Sequence, residues 1–242
     1  MGSNYLLKGI LLMLTFPLVA LAQQETVSSL ANFEAKYNIV HEGDVLGKAK
    51  RSLINHDDGS VEFNYQTNIK RLIFSDHRQE QTQNIIRDGE VIPLLYQSSR
   101  EGTGKDKFYK WAFDKDNQQV TNLVTNQSKQ IDWPDGLQSK LSFHLQTRLN
   151  LINGKKEFNF KTLTTSGGIK DYNYQLVGNE QIDLPYGTLD TVKLMRQKPG
   201  SDRVTYVWFA PELDYLMVKL HQKENSFNDF EAQLVSVDLA KK

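Results

Sequence analysis

Apolar and polar side chains alternate with a period of two along most of this chain, and this alternation limits the possible folds more than any other feature. Phe33, Ala35, Tyr37 and Ile39 fall on one face of an extended segment whose other face is polar. The same period continues on both sides of Asp57-Asp58-Gly59, and Asp-Gly between alternating segments is typical of a tight hairpin turn. We therefore predict antiparallel strands joined by hairpins.

Further alternating segments follow, at 73–92 around an Asp88-Gly89 turn and at 105–113, 118–125, 157–163, 170–177, 188–198, 203–209, 215–222 and 232–237. A sheet of roughly a dozen strands is too large to stay flat and must curl or close. The predicted fold class is therefore mainly β, as a strongly curved antiparallel sheet or open barrel.

One segment has helical spacing instead. Its apolar stripe consists of Leu137, Leu141, Leu145, Leu149 and Ile152. Asp135 precedes the stripe at a capping position, Gln138 follows three residues later, and Gly154 stands just past the end. We predict one helix, about Leu137 to Ile152, that covers the concave face or one mouth of the sheet.

The first residues have the order of a secretory signal peptide. Lys8 precedes the apolar run Gly9–Val19, which ends at the small-residue triplet Ala20-Leu21-Ala22. The run is shorter than the roughly 20 residues that cross a bilayer. We expect cleavage after Ala22, a periplasmic location, no membrane span after cleavage, and a single β-rich domain over residues 23–242.

Composition removes several functional classes. The chain has no cysteine, so disulfides, cysteine-ligated zinc, thiol nucleophiles and acylated lipoprotein anchors are excluded. The 29 Lys and Arg residues are balanced by 29 Asp and Glu residues. Because a chain without net charge has no long-range field that attracts polyanions, we expect no nucleic acid partner.

No motif in the sequence names a chemical reaction. The five histidines are dispersed, with no pair at the spacing that presents two imidazoles to one metal: His41, His56, His77, His144 and His221. His144 lies beside the leucine stripe, where a structural role is favoured. The Gly-x-Ser-x-Gly and Ser-x-x-Lys signatures of hydrolases are absent from the sequence. We assign no catalytic, cofactor-binding or metal-binding residue, expect no cofactor, and leave the ligand-binding residues unknown.

The segment Val204–Phe209 is apolar on both faces. One face is expected to pack into the core. The other face meets the helix, a second layer or an apolar cavity, and simple packing on both faces is slightly favoured over the cavity.

Several motifs resemble an exported bacterial family known as domain of unknown function 3108. They are Phe33-Glu-Ala-Lys-Tyr37 with Gly43 and Gly47, Asp135-Gly-Leu137, Leu184-Pro-Tyr-Gly-Thr188, Trp208-Phe-Ala-Pro-Glu-Leu213 and Leu216-Met-Val218. The resemblance spans nearly all of the chain after the apolar run. It implies an envelope location and a curved antiparallel architecture, and it supplies no catalytic residue.

Three functions remain open at this stage. The leading one is a non-enzymatic periplasmic protein that binds an apolar or amphipathic, lipid-like ligand between sheet and helix. The second is a protein-interaction module that assists envelope assembly through an envelope protein partner. The third, and the least favoured, is a hydrolase whose carboxylates or histidine converge only in space.

Overall fold

The computed structural model describes residues 30–71, 74–224 and 229–240 of the 242-residue chain. The signal peptide that we predict over residues 1–22 lies outside this part of the chain. Within the described residues, no helix is both long enough and apolar enough to cross a membrane.

Strands dominate the described part of the chain. The strands before the helix are β1 (Phe33–His41), β2 (Asp44–Asn55), β3 (Ser60–Arg71), β4 (Phe74–Arg87), β5 (Glu90–Gly102), β6 (Lys107–Asp114), β7 (Gln119–Asn122) and β8 (Gln127–Gln130). The helix α1 spans Ser142–Ile152. The strands after it are β9 (Phe158–Leu163), β10 (Ile169–Leu184), β11 (Gly187–Gln197), β12 (Val204–Ala210), β13 (Leu216–Lys223) and β14 (Asp229–Leu239).

All of these strands belong to one antiparallel sheet with the order β8-β7-β6-β5-β4-β3-β2-β1-β14-β13-β12-β11-β10-β9. Each half of the sheet is a meander of hairpins, and the two halves meet where β1 pairs with β14, with Phe33 opposite Leu239. The prediction of a mainly β fold with a large antiparallel sheet and one helix is confirmed.

The turn residues explain why the hairpins close where they do. Gly59 has a φ of +81°, and the turn is held by a hydrogen bond from the amide of His56 to the carbonyl of Ser60, 2.9 Å. Asp88 and Gly89 have φ values of +52° and +75°. Positive φ at both central residues is typical of a two-residue hairpin, as at Asp88-Gly89, whereas a single left-handed glycine at the end of a three-residue loop is typical of the other hairpin, at 57–59. Both predicted turns are confirmed.

The predicted start of the helix is wrong by five residues. Leu137 and Gln138 lie beside β9 instead, because the amide of Gln138 donates to the carbonyl of Lys161 at 2.8 Å and its carbonyl accepts from the amide of Leu163 at 2.9 Å. A backbone engaged in this way cannot make helical hydrogen bonds, and Asp135 therefore does not cap the helix.

Two serines cap the helix in place of Asp135. The amide of Ser142 donates to Oγ of Ser139 at 2.9 Å, and the amide of Ser139 donates to Oγ of Ser142 at 2.8 Å. This is the reciprocal pattern of a capping box, with serine at both positions.

The helix is enclosed by the protein rather than laid over it. Its buried residues include polar ones, and each buried polar group needs a partner. The side chain of Gln146 accepts from the amide of Val91 at 2.6 Å and donates to the carbonyl of Gly89 at 3.0 Å. Arg148 donates to the carbonyl and the carboxylate of Asp214, at 2.8 and 3.0 Å. These bonds fix α1 to β5 and to the turn before β13.

The two distant ends of the sheet also come together. The indole Nε1 of Trp111 in β6 donates to the carbonyl of Thr165 in the β9–β10 turn, 3.2 Å away. Gly167 in the same turn lies so close to the indole that an added Cβ would be 2.7 Å from its ring. The sheet is therefore curved strongly enough for β6 to touch the hairpin at its opposite edge.

Candidate functional site

A cavity of about 750 Å³ lies on the concave face of the sheet, next to the start of α1. Apolar side chains make up much of its wall: Ile39, Leu46, Ile69, Leu141, Leu220 and Phe230. A volume of this size falls within the range of sites that enclose small molecules, which extends to about 1,000 Å³.

The strand register orders the wall from depth to mouth. At the deep end, Arg51 on β2 lies opposite Tyr65 on β3. Towards the mouth, the next pair of residues that face the cavity is Ala49 and Thr67, and Ile69 follows two residues later on β3. On β4, Arg78 lies opposite Thr67. The Arg51 residue is 5% exposed, whereas the side chain of Arg78 is 52% exposed. The end of the cavity at Arg78 is therefore the mouth, and Arg51 lies deep inside.

The deep cation, Arg51, has few partners. Its Nη1 donates to the sulfur of Met217 at 2.9 Å, and a thioether is a weak acceptor. Its Nε is buried without a hydrogen-bond partner. Glu80 is the carboxylate whose charge acts on Arg51, yet Glu80 forms no ion pair with it within the described residues and instead accepts from the hydroxyl of Tyr96 at 2.6 Å.

Aromatic contacts offset only part of the cost of burying this charge. The guanidinium of Arg51 lies 5.0 Å from the ring centroid of Phe63 and 5.9 Å from that of Tyr65. Such contacts are worth about 0.5–2 kcal/mol each, whereas removing an ion from water costs several kcal/mol. Burial lowers the pKa of Arg51, but a guanidinium stays protonated in proteins. The cavity therefore contains a buried positive charge that no carboxylate of the described residues pairs with.

The charges at the mouth are paired. The carboxylate of Asp76 accepts hydrogen bonds from Arg78 at 2.7 and 3.0 Å and from Arg100 at 2.9 Å. Burial alone would raise the pKa of Asp76, but the two guanidinium groups outweigh burial and hold the pKa below its ordinary value. The mouth is thus a fixed ion cluster rather than a free binding group.

Neutral polar groups surround Arg51. The hydroxyl of Tyr37 donates to the carbonyl of Met217 at 2.7 Å, and burial raises the pKa of Tyr37 to about 12. Burial also raises the pKa of Tyr65. For His144, burial and then the charge of Arg51 hold the pKa well below its usual value. These groups are uncharged at neutral pH, so they leave the charge of Arg51 uncompensated.

The five histidines do not converge. Only His41 and His144 line the cavity, where His41 bonds to the carbonyl of Asp229 and stacks on Phe230. His56 lies in the turn between β2 and β3, beside Glu62, and His77 lies on β4, beside Gln79. The described residues contain no group of three or more potential metal ligands.

Among the contacts between histidines and carboxylates in the described residues, the shortest joins His221 to Asp229. Nε2 of His221 lies 2.6 Å from the carboxylate of Asp229. Neither residue lines the cavity, whose wall on β13 is formed by Met217, Leu220 and Gln222, although Glu231, 3.8 Å from Nδ1 of His221, is a lining residue. The pair is therefore a contact between neighbouring strands outside the cavity lining and offers no support for the hydrolase hypothesis.

The segment Val204–Phe209, which is apolar on both faces, does not line the cavity. Val207 and Phe209 pack into the core on one face. On the other face Trp208 donates to Glu180 and lies under two ammonium groups, Lys193 at 4.8 Å and Lys219 at 5.2 Å from its ring. The simpler alternative, packing on both faces, describes this strand.

A second cavity, of about 490 Å³, lies on the outer face of β1–β3. Its cations are engaged with neighbouring side chains. Lys50 contacts Glu34 at 2.6 Å, and Lys48 donates to Asn38 at 2.6 Å. The side-chain hydrogen bond from Lys50 lowers the pKa of Glu34. This surface lacks the uncompensated charge that distinguishes the inner cavity.

Structural comparison supports the fold. A crystal structure of a beta-barrel-like protein of the domain of unknown function DUF1849 from Brucella abortus aligns with a TM-score of 0.58 at 9% identity, over 88% of this chain and 99% of that chain. MucB in complex with MucA(peri) aligns with a TM-score of 0.34 at 10% identity, over 87% of this chain and 51% of that chain. Only the first of these likenesses is strong enough to indicate a shared fold.

Comparison with curated proteins found no match. A family model does match, over residues 32–235, and its description is a protein of unknown function, DUF3108. The match covers the motifs on which the resemblance rested and confirms it.

Proposed function

Because this chain belongs to the DUF3108 family, whose description assigns no activity, we propose its function from its own cavity: non-enzymatic binding of an amphipathic, lipid-like molecule. The observation that carries the proposal is the cavity of about 750 Å³ between the concave sheet and the start of α1. A concave space of this size, lined by apolar side chains such as Ile39, Ile69 and Phe230 together with a few polar groups, is the usual form of a small-molecule site.

The apolar wall supports a ligand with a hydrocarbon part. Contact with such a wall removes hydrocarbon from water, which stabilises the complex by about 25 cal/mol for each Å² buried. The polar groups are few and lie at defined places, as in sites that orient a ligand as well as enclose it. We propose further that the protein follows a cleaved leader into the periplasm as one domain, where it shelters its ligand from water.

Native mass spectrometry tests this proposal. The full chain is expressed with its own N-terminus in a bacterial host, purified from the periplasm without detergent, and weighed before and after lipid extraction. We expect a stoichiometric adduct that organic solvent removes. A mass that corresponds to the protein alone, together with no binding of added fatty acids or lysophospholipids, would reject the proposal.

A matched pair of variants locates the ligand. Ala232 lines the cavity between Ile39 and Leu220, so Ala232→Trp fills the space. Ala112 lies between the inward-facing Trp111 and Phe113, so Ala112→Trp adds the same volume on the outer face. We expect the adduct to disappear only in Ala232→Trp. Loss of the adduct in both variants, or in neither, would place the ligand elsewhere.

A second candidate, a protein-interaction surface, is favoured by one observation. Leu176 and Val177 in β10 are 44% and 53% exposed, at a bulge opposite Leu194. Over residues 175–184, β10 pairs only with β11 in the described part of the chain. A strand that has one unpaired edge and exposed apolar residues can accept a strand from a partner protein at that edge. Leu176→Lys should abolish co-purification of an envelope protein if this candidate is right, while ligand binding stays unchanged.

A further inference from the structure

We infer that the cavity binds amphipathic monocarboxylates of the fatty-acid class, head first, with the guanidinium of Arg51 as the anchor for the carboxylate. The inference rests on the proposed function and adds the chemical class of the ligand. Its starting point is that Arg51, 5% exposed, lines the cavity with Nε unpartnered and with Nη1 bonded to the sulfur of Met217, a weak acceptor.

A carboxylate supplies what Arg51 lacks. Its two oxygens match the parallel N–H groups of a guanidinium, and both bonds are charge-assisted. Arg148 shows how this chain treats a buried arginine whose charge is paired internally, since it donates to the carbonyl and to a carboxylate oxygen of Asp214, although its Nη1 is buried without a hydrogen-bond partner. No described residue does the same for Arg51, and a ligand carboxylate would fill this role.

The surrounding charges favour a head group with a single negative charge. Glu80 lies in the same inward layer as Arg51, across Tyr65, and its charge opposes any anion that enters. Lys140 adds one further cation to the wall. The cavity wall as a whole carries five cations and three carboxylates, but Arg78, Arg100, Asp76, Arg203 and Glu231 are already held in ion pairs. The remaining two cations and one carboxylate leave one positive charge to neutralise, which suits a carboxylate better than a phosphate with two negative charges.

The depth of Arg51 sets the orientation. The apolar residues Ile39 and Ile69 lie nearer the mouth than Arg51 by strand register. A ligand whose head reaches Arg51 therefore lays its hydrocarbon chain against them, with the far end of the chain near the Asp76–Arg78–Arg100 cluster. This arrangement fits one alkyl chain attached directly to the acid.

The experiment compares ligands that differ only in the head group. Delipidated protein is titrated below the critical micelle concentration with dodecanoate, 1-dodecanol and monododecyl phosphate by isothermal titration calorimetry. We expect dodecanoate to bind about tenfold or more tightly than dodecanol, since a charge-assisted pair in a dry site is worth at least that factor. Arg51→Met should remove this preference, Arg51→Lys should keep part of it, and the exposed Arg87→Met should retain it in full.

The possible outcomes separate the inference from the proposed function. If dodecanoate and dodecanol bind equally well, Arg51 is not the anchor, although the cavity still binds amphipathic molecules. Tighter binding of the phosphate than of the carboxylate overturns the assigned head group. If none of the three binds, the proposed function fails and the inference fails with it.

A measurement on the unmodified protein covers the case in which Arg51→Met does not fold. The carbon-13 shift of carboxyl-labelled dodecanoate is followed against pH in the complex. Contact with Arg51 should lower the pKa of the bound carboxyl below that of the free acid. A bound carboxyl whose pKa is raised would show that the head group lies in the apolar part of the cavity, and would overturn the inference.

Discussion

Nη1 of Arg51 lies 2.9 Å from the sulfur of Met217, whereas Nε of the same guanidinium is buried without a hydrogen-bond partner. A buried charge held by a thioether and two aromatic rings is a poor stabiliser of the ligand-free protein. We therefore attribute the buried arginine at position 51 to ligand binding rather than to folding. Its effects on ligand affinity and on the free energy of unfolding can be measured separately.

Arg51→Met should make the ligand-free protein more stable. Methionine keeps the apolar contacts of the arginine stem and removes the desolvated charge, so we expect the free energy of unfolding to rise by about 1–3 kcal/mol. Urea denaturation of delipidated protein measures it. Arg87→Met, on the exposed surface, should change stability by less than about 0.5 kcal/mol. A marked loss of stability in Arg51→Met would show that the charge has an internal partner after all.

The stability of the protein should fall as the pH drops below neutral, and His144 should be one cause. Burial and Arg51 lower the pKa of His144 in the folded state, so the unfolded state takes up a proton first. The contribution of His144 is complete above its unfolded pKa of about 6.5 and is lost as the pH falls towards the folded value. His144→Gln should make the urea denaturation midpoint depend less on pH between pH 7 and pH 5. At pH 5 the variant and the unmodified protein should have about the same stability. Parallel profiles for both proteins would exclude this role.

The electrostatic link between Arg51 and His144 can be read directly. Arg51→Met removes the second cause of the lowered pKa while burial remains. The pKa of His144 from proton NMR should therefore rise in the variant and still stay below its usual value. An unchanged pKa would indicate that the two side chains do not interact across the cavity.

Gly167→Ala should open the contact between the two ends of the sheet. A methyl group at this position would meet Trp111 at 2.7 Å, and Gly59 has the same φ of +81° with no atom within 4 Å of its added Cβ. Gly59→Ala therefore reports the backbone strain alone, about 1 kcal/mol, and Gly167→Ala should cost about 2–4 kcal/mol. Thermal unfolding of both variants gives the comparison; equal losses would mean that the indole moves aside freely.

The serine cap of α1 should behave as a coupled pair. Ser139→Ala and Ser142→Ala each remove half of the reciprocal bonding and should each cost about 1–2 kcal/mol. Since each loss also leaves its partner unsatisfied, the double variant should cost less than the sum of the single ones. Additive losses would show that the two hydroxyl groups act independently.

The strands could be predicted from the sequence because their determinants are local. Alternation around Phe33 and Tyr37, and the Asp-Gly pairs at 58–59 and 88–89, are sufficient to fix strand and turn without any tertiary information. The start of the helix was different. Leu137 has helical spacing to Leu141, but the competing bond partners of Gln138 lie on β9, and distant backbone pairing is invisible in a local pattern.

The cavity could not be predicted, although one of its residues carried a signal. Ala49, Arg51 and Leu53 occupy alternate positions of β2 and therefore share one face of the strand. A charged side chain thus occurs among residues that face the core. By contrast, β4 is polar on both faces around Asp76 and Arg78, and no pattern there distinguishes inside from outside. Which strands curve around the same space depends on the sheet as a whole.

The pairing of β1 with β14 has a consequence for how the chain reaches its native state. Phe33 in β1 pairs with Leu239 in β14 in the middle of the sheet. Nearly the whole described part of the chain must therefore be synthesised before the two meanders can pair. Contacts this distant in sequence form slowly, because the entropy of closing a long loop is lost before any contact compensates it. Until β14 pairs with it, the edge of β1 can form hydrogen bonds with strands of other protein molecules. A newly synthesised chain therefore folds correctly only if its first meander does not aggregate during that interval.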